Sequence, residues 1–294
     1  MARCLVTGHA GYIGSKLYKK LKDLGHEVTG IDLNIGKDIN AVDGLVETTD
    51  GSFPAHWDSL KPEYVFHPAA IPRIMHCLEK PVATMKNNVV AGSNVLNYAR
   101  KVGAKRVIYS SSSSVLGNGA GPTNPYALQK YTTELETKIY AEVYGIDTVS
   151  LRYFNVYSEC QQTNTPYVTV LANWMKHIRH NNNPFITGDG EQRRDMVHVD
   201  DVVMANIFAM EHEDAFGGKA FDVGTGENIS LNEAKEIVQE YFPDVKFEYK
   251  EARVGEVQTT QADPNPFRDL GWEAKISIKD GIKRCFLNLK EELK

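Results

Sequence analysis

Three times along this chain an amphipathic helical pattern meets a glycine and passes straight into a β-branched strand. The junctions are Leu24-Gly25-His26-Glu27-Val28, Val102-Gly103-Ala104-Lys105-Arg106-Val107-Ile108 and Tyr144-Gly145-Ile146-Asp147-Thr148-Val149. A glycine at such a place supplies the left-handed turn that ends a helix. Helix then strand, repeated, implies crossovers between parallel strands covered on both faces. The expected fold is α/β, a Rossmann-type doubly wound parallel sheet, with strands near 3–7, 27–32, 63–67, 105–111 and 147–153.

After about residue 157 the pattern changes, with Asn, Thr and Pro clustered in 161–166 and less regular elements beyond. This places a Rossmann domain over 1–157, to which part of 190–224 returns, and a smaller mixed α/β C-terminal substrate domain over 158–294. Two helix starts are expected in the later region. Asp200 can cap the run Val202-Val203-Met204-Ala205, and Ser230-Leu231-Asn232-Glu233 has the form of a capping box.

The first strand runs directly into Gly8-His9-Ala10-Gly11-Tyr12-Ile13-Gly14, and a helix with the apolar face Ile13, Leu17, Leu21 and Leu24 follows. Glycines between a strand and a helix let the backbone turn tightly and approach a pyrophosphate, while the helix N-terminus offers unpaired N–H groups. Asp32, at the end of the next strand, is placed to accept hydrogen bonds from an adenosine ribose and to repel a 2′-phosphate. The pattern therefore reads as a site for NAD.

A second constellation lies a hundred residues on. Arg106-Val107-Ile108-Tyr109 reads as a strand, and Ser110 to Ser114 form a hydroxyl-rich run at its carboxyl end, the edge where ligands sit in such sheets. Pro125 then opens a helix in which Tyr126 and Lys130 stand four apart on one face, with Leu128, Tyr131, Leu135, Ile139 and Val143 at helical spacing. An ammonium near a phenol is expected to lower its pKa towards the range of a general base. A Tyr-x-x-x-Lys alone is an ordinary helix-surface pair; the strand, the serine run and the glycine loop give this one weight.

With these segments in view, the chain resembles the extended short-chain dehydrogenases/reductases of the NAD-dependent nucleotide-sugar epimerase/dehydratase family, over nearly its whole length. Further matching segments are Asp38-Ile39, Phe66-His67-Pro68-Ala69-Ala70, Arg152-Tyr153-Phe154-Asn155-Val156-Tyr157, Gly188 to Asp195, Phe221 to Gly226 and Arg253-Val254-Gly255-Glu256. The resemblance implies that Ser112 binds the reacting sugar hydroxyl, Tyr126 is the base and Lys130 holds the nicotinamide ribose. It also implies cofactor contacts at Gly8, Gly11, Tyr12, Ile13, Gly14, Asp32, Asp38, Ile39, Pro68, Ala69, Ala70, Ser110 and Tyr153. Substrate contacts are implied at Phe154 and at Asn155, Arg194 and Arg253 for a sugar diphosphate, at Glu256 for the nucleotide ribose, and at Thr260, which faces sugar C2. Guanidinium groups suit phosphate oxygens.

Dehydratases and decarboxylases of this family carry an acid in the serine segment, where this chain has Ser113 and Ser114. That favours 4-epimerisation of a UDP-sugar, UDP-glucose to UDP-galactose or their N-acetyl forms, through a 4-keto intermediate. A 4-keto-sugar reductase, a uronate epimerase and a catalytically silent NAD-binding regulator are the alternatives. Leu116 in place of tyrosine and the short segment between Ser112 and Tyr126 depart from the family pattern. The resemblance further implies a homodimer built on helices near 84–101 and 126–144.

Bulk properties narrow the remaining classes. A net charge of −5 with scattered basic residues argues against nucleic acid as a partner. Cys4, Cys77, Cys160 and Cys285 are far apart and read as reduced thiols. The strand begins too close to Met1 for an export leader, and no apolar run approaches the ~20 residues of a membrane helix. A cytoplasmic enzyme is expected. His177 and His180 stand three apart without an acidic partner, so no metal site is expected.

Overall fold

All three junction glycines are left-handed in the computed structural model, with φ of +82° at Gly25, +70° at Gly103 and +69° at Gly145. Each lets its helix stop and the next strand begin within a few residues. The structure describes residues 1–32, 59–72, 74–161, 168–252 and 257–294.

In chain order the first elements are β1 (Arg3–Thr7), α1 (Tyr12–Asp23), β2 (Glu27–Ile31), β3 (Tyr64–His67), α2 (Ile74–Glu79) and α3 (Pro81–Met85). A single π-helical turn, Lys86–Val90, leads into α4 (Ala91–Val102), β4 (Arg106–Ser112), α5 (Pro125–Tyr144) and β5 (Asp147–Tyr153). There follow α6 (Val170–Arg179), β6 (Phe185–Thr187), β7 (Arg193–Arg194), α7 (Val199–Glu211), β8 (Ala220–Val223), β9 (Ile229–Ser230) and α8 (Leu231–Tyr241). The last are β10 (Glu248–Lys250), β11 (Thr259–Thr260), α9 (Asn265–Arg268) and α10 (Ile278–Glu292).

Six strands form one sheet in the order β2-β1-β3-β4-β5-β8. β1 pairs in parallel with both β2 and β3, and β3 in parallel with β4. The doubly wound sheet expected from the sequence is therefore present, and strand order reverses at β1. In such sheets a ligand binds beyond the carboxyl end of the strand at the reversal, which here is where the glycine loop begins.

The chain divides into two compact units, Met1–Arg152 with Val203–Phe221, and Tyr153–Val202 with Asp222–Lys294. The first has a core of Leu5, Ile31, Val65, Val95, Leu96, Tyr98 and Val107, each at most 2% exposed. The second gathers Tyr157, Leu171, Trp174, Met175, Ile282 and Phe286, also at most 1% exposed. Each such side chain contributes about 1.5–3 kcal/mol by leaving water. The second unit is mixed, with β10 parallel to β6, β11 parallel to β7 and β7 antiparallel to β9.

Helix starts follow local chemistry. Asn124 caps α5 through Oδ1, which accepts from the Ala127 N–H at 3.0 Å, and Pro125 fills the first helical position. The capping box at Ser230 and Glu233 forms as expected. Asp200 does not cap α7: the helix begins one residue earlier, and the Asp200 N–H donates to Nδ1 of the buried His198 at 3.2 Å. A ring nitrogen does what a carboxylate was expected to do.

Candidate active site

The glycine loop turns on backbone hydrogen bonds. Gly8 has φ +64° and donates its N–H to the Ile31 carbonyl at 2.6 Å, and the Gly11 N–H donates back to the Gly8 carbonyl at 3.0 Å. A Cβ on Gly8 would lie 2.8 Å from the Ala69 backbone, and one on Gly14 would lie 2.0 Å from the Gly8 oxygen. Helix α1 thus packs directly on the turn, and its N-cap, Gly11, brings no side chain to its first-turn N–H groups. Tyr12 and Ile13 are the first two residues of that helix. An oxygen-rich anion finds here the donors and the lack of side-chain bulk that a pyrophosphate needs. The Asp32 carboxylate accepts from the Ala10 N–H at 3.0 Å, which ties the end of β2 to the loop.

The opposite wall is the segment Pro68-Ala69-Ala70 after β3. Thr7 and His67, both buried, share a 2.7 Å hydrogen bond between Oγ1 and Nδ1, linking the ends of β1 and β3. Burial and the charge of Lys130 push the imidazole down to about 3, so His67 is neutral. The segment is anchored at Ile71, whose N–H donates to Asn88 Oδ1 at 2.7 Å and whose carbonyl accepts from Asn88 Nδ2 at 3.2 Å. Asn88 also donates to Gln129 Oε1 at 2.7 Å, and Gln129 donates to Thr84 Oγ1 at 3.0 Å. Sequence reading missed Asn88 and Gln129. The signal available was polar amides at positions where the turn before α4 and helix α5 would otherwise carry apolar residues, Gln129 standing next to Lys130.

Ser112 ends β4, and Tyr126 and Lys130 stand one turn apart on α5. The Ser112 hydroxyl lies near enough to the Tyr126 phenol to pull its pKa down and accepts from the N–H and hydroxyl of Ser114, at 3.3 and 3.0 Å. Lys130 is 3% exposed, and its Nζ donates to the Ser110 carbonyl at 2.7 Å while lying 4.9 Å over the Tyr109 ring. Ser110 itself is buried.

The electrostatics differ from the expectation. Enclosure of the phenol pushes Tyr126 up to about 12, against the pull of the nearby Ser112 hydroxyl, and Cys77 adds to the rise. Lys130 does not lower it, because desolvation dominates and the ammonium is directed at the Ser110 carbonyl. Burial brings Lys130 itself down to about 7. Lys130 is therefore the group that changes charge near neutrality.

In the second unit, Asn155 has φ +38°, a left-handed conformation uncommon outside glycine. Its Nδ2 donates to the Asp195 carbonyl at 2.6 Å and to Thr260 Oγ1 at 3.2 Å. Thr260 is paired with Arg194 across β11 and β7, so Asn155, Arg194 and Thr260 form one cluster. Asp195 organises it: the buried carboxylate accepts from the N–H and hydroxyl of Thr225, and from the N–H groups of Gly226 and Ala262, at 2.9–3.1 Å. Tyr153 ends β5 at 8% exposure, and Phe154 is 1% exposed, packed inside with its backbone bonded to Val223 and Val197. Asp38, Ile39, Arg253 and Glu256 lie outside the described residues. Among the described residues no group of three or more His, Cys, Asp or Glu side chains is gathered as for a metal ion.

A glycine cradle at the reversal of a parallel sheet, with Ser, Tyr and Lys meeting between the adjoining strand end and helix, defines an enzyme of the short-chain dehydrogenase/reductase class. The chain belongs, within that class, to the NAD-dependent epimerase/dehydratase family, whose model matches residues 4–224. It is similar to the UDP-glucose 4-epimerase of Mycolicibacterium smegmatis, 30% identical over 96% of each chain. Among solved structures it is similar to UDP-glucose 4-epimerase from Thermotoga maritima with UDP-glucose, at 31% identity and a TM-score of 0.88 over 99% of both chains. UDP-N-acetylglucosamine 4-epimerase from Methanobrevibacter ruminantium, in complex with UDP-N-acetylmuramic acid, matches with 28% identity and a TM-score of 0.88, again over 99% of both. NAD is the cofactor of this family, and the cradle of Gly8, Gly11 and Gly14 fits it.

Proposed function

We propose that this protein is an NAD-dependent nucleotide-sugar 4-epimerase, interconverting UDP-glucose with UDP-galactose or their N-acetyl forms. The observation that carries this reading is buried Lys130, bonded to the Ser110 carbonyl at the end of β4 one helical turn from Tyr126, with the glycine cradle in the same unit. NAD, when bound, supplies a reversible hydride acceptor. Acting as the phenolate, Tyr126 accepts the proton of the sugar 4-hydroxyl and later returns it, and Ser112 fixes the two oxygens. Lys130 places positive charge under the reacting groups and orients the nicotinamide ribose.

Asn155, Arg194, Arg253 and Glu256 serve the diphosphate and nucleotide ribose in this reading. Because both amide protons of Asn155 are engaged by Asp195 and Thr260, its part is to shape the wall, leaving the cationic work to the arginines. Thr260, a small residue, is assigned to the sugar C2 side and leaves room for an N-acetyl group. Hydroxyls at Ser113 and Ser114, where an acid would serve elimination or decarboxylation, support epimerisation.

A homodimer is part of the proposal. The outward stripe of α5, Leu128, Leu135, Ile139 and Val143, is 49, 44, 50 and 67% exposed, while the inward face carries Gln129, Lys130, Thr133, Glu134 and Thr137. A helix that is polar inside and apolar outside calls for a second apolar face, and a copy of the same stripe supplies one. We place the enzyme in the cytoplasm; among the described residues no helix is long and apolar enough to cross a membrane.

The test is to incubate the protein with UDP-glucose, UDP-galactose and their N-acetyl forms, without added NADH, and follow the sugars by NMR. Conversion at C4 with no consumption of reductant is expected. Turnover only in step with added NADH would make the enzyme a reductase, and no conversion of any of the four would overturn the UDP-hexose reading.

A further inference from the structure

Glu134 lies on α5 two turns beyond Tyr126 and one beyond Lys130, and is 5% exposed. Its Oε2 accepts from the Ser111 hydroxyl at 2.7 Å. Its carboxylate is also gripped by Arg152 on β5, whose Nη2 reaches Oε1 at 2.5 Å and whose Nε lies 3.2 and 3.1 Å from the two oxygens. Ser111 stands between Ser110, whose carbonyl takes the Lys130 ammonium, and Ser112, whose hydroxyl lies near the Tyr126 phenol. Two consecutive residues of β4 are thus hydrogen-bonded to two residues of α5 spaced by four, Lys130 and Glu134.

A buried ion pair gains little stability over an apolar pair of the same volume. What it adds is direction. The Glu134 carboxylate leaves α5 only one axial position and one rotation at which both Ser111 and Arg152 are satisfied. The Glu134 carboxylate bonds Ser111 and Arg152 and neither Tyr126 nor Lys130, so its influence on the chemistry passes through geometry.

We propose that Glu134 is a positioning residue: bridged to Ser111 on β4 and Arg152 on β5, it sets the register of α5 against β4 and so holds Lys130 at the Ser110 carbonyl and Tyr126 beside the end of that strand. The kinetic arm of the test rests on the epimerase reading above, and the structural arm does not.

The discriminating variant is Ser111→Ala, which removes the β4 link and leaves the Glu134–Arg152 pair intact. Expected are a fall in kcat of about 10- to 100-fold, the cost of displacing a reacting group by up to about an ångström, a sugar KM within about two-fold, and recovery in Ser111→Thr, which keeps the hydroxyl. Ser111→Cys, nearly isosteric and a weak donor, should share the loss and serves if the alanine variant does not fold. A crystal structure of the variant should show α5 shifted along β4, with Lys130 Nζ beyond hydrogen-bond range of the Ser110 carbonyl. Unchanged kcat per folded enzyme, a change confined to KM, failure of threonine to rescue, or an unmoved α5 would each overturn the proposal. If the parent turns over no UDP-sugar, the epimerase reading fails and the crystallographic comparison alone decides.

Discussion

Lys130 Nζ donates to the carbonyl of Ser110 at 2.7 Å, in a place where almost no water reaches it. One hydrogen bond to a neutral carbonyl does not repay the desolvation of an ammonium, and burial depresses the group from 10.5 to about 7. The sign follows from linkage. Between about pH 7 and 10.5 the unfolded chain binds the proton more readily than the folded one, so the Lys130 penalty is greatest below about 7 and is relieved as pH rises. Lys130→Met should therefore be inactive yet more stable than the parent at neutral pH, by about 1–2 kcal/mol. The difference should shrink as urea unfolding is repeated from pH 6 towards pH 10.

Tyr126 sets a second expectation. Tyr126→Phe removes the proton-transferring oxygen and leaves the ring, so turnover should fall by about 10³-fold or more. NAD retained through gel filtration, measured by absorbance after denaturation, should be unchanged. Activity above one-tenth of the parent would remove Tyr126 from the role of base.

Glycine positions separate cofactor geometry from backbone strain. At Gly14 an added Cβ would meet the Gly8 oxygen at 2.0 Å, so Gly14→Ala should weaken NAD binding by roughly 100-fold or more. Gly25, with φ +82° and nothing within 4 Å of a Cβ, should lose about 1 kcal/mol of stability on substitution by alanine and none of its NAD affinity. Isothermal titration of the two variants checks both.

Arg106 is heavily engaged within the first unit. It pairs with Asp147, donates to the carbonyls of Ala209, His212 and Asp214 at 2.6–2.8 Å and lies 4.7 Å over the Phe216 ring. Arg106→Ala strands these acceptors and should cost about 3–5 kcal/mol by chemical denaturation. Lysine cannot reproduce the planar fork, so Arg106→Lys should recover less than half.

The exposed stripe of α5 predicts oligomeric state. Light scattering of the parent should give a dimer at micromolar concentration, and Leu135→Glu with Ile139→Glu should give a monomer of unchanged circular dichroism. A monomeric parent would end the dimer proposal.

Much of the frame was legible because it is written in short-range chemistry. Gly25, Gly103 and Gly145 end helices for a local steric reason, and Asn124, Pro125 and Ser230 start them for local hydrogen-bonding ones. That Tyr126 and Lys130 share α5 one turn apart and that Ser112 ends β4 was legible from an i, i+4 spacing and a strand end. The polar seam was not. Leu128 to Val143 read correctly as a helical stripe, but a stripe does not say whether it faces a core. The face that is buried is held by Thr137 to Ser150, by Thr148 to the Thr137 carbonyl and by Ser111 to Glu134, all partners remote in sequence. The π-helical turn at Lys86–Val90, which carries Asn88, has no periodicity of its own to betray it. The pKa order of Tyr126 and Lys130 also escaped, since it depends on enclosure that no spacing encodes.

The first unit is discontinuous, and Val203–Phe221 comes back to it from beyond much of the second. A ribosome releases the glycine loop and the serine run long before it releases the residues whose carbonyls receive Arg106. Until residue 214 has emerged that guanidinium has no complete set of partners, and until β8 follows, β5 is an open edge. The nascent chain must therefore wait, half-finished, for its own later segment, and a fragment ending at Arg152 would carry every proposed catalytic residue on a sheet prone to pair with the wrong neighbour.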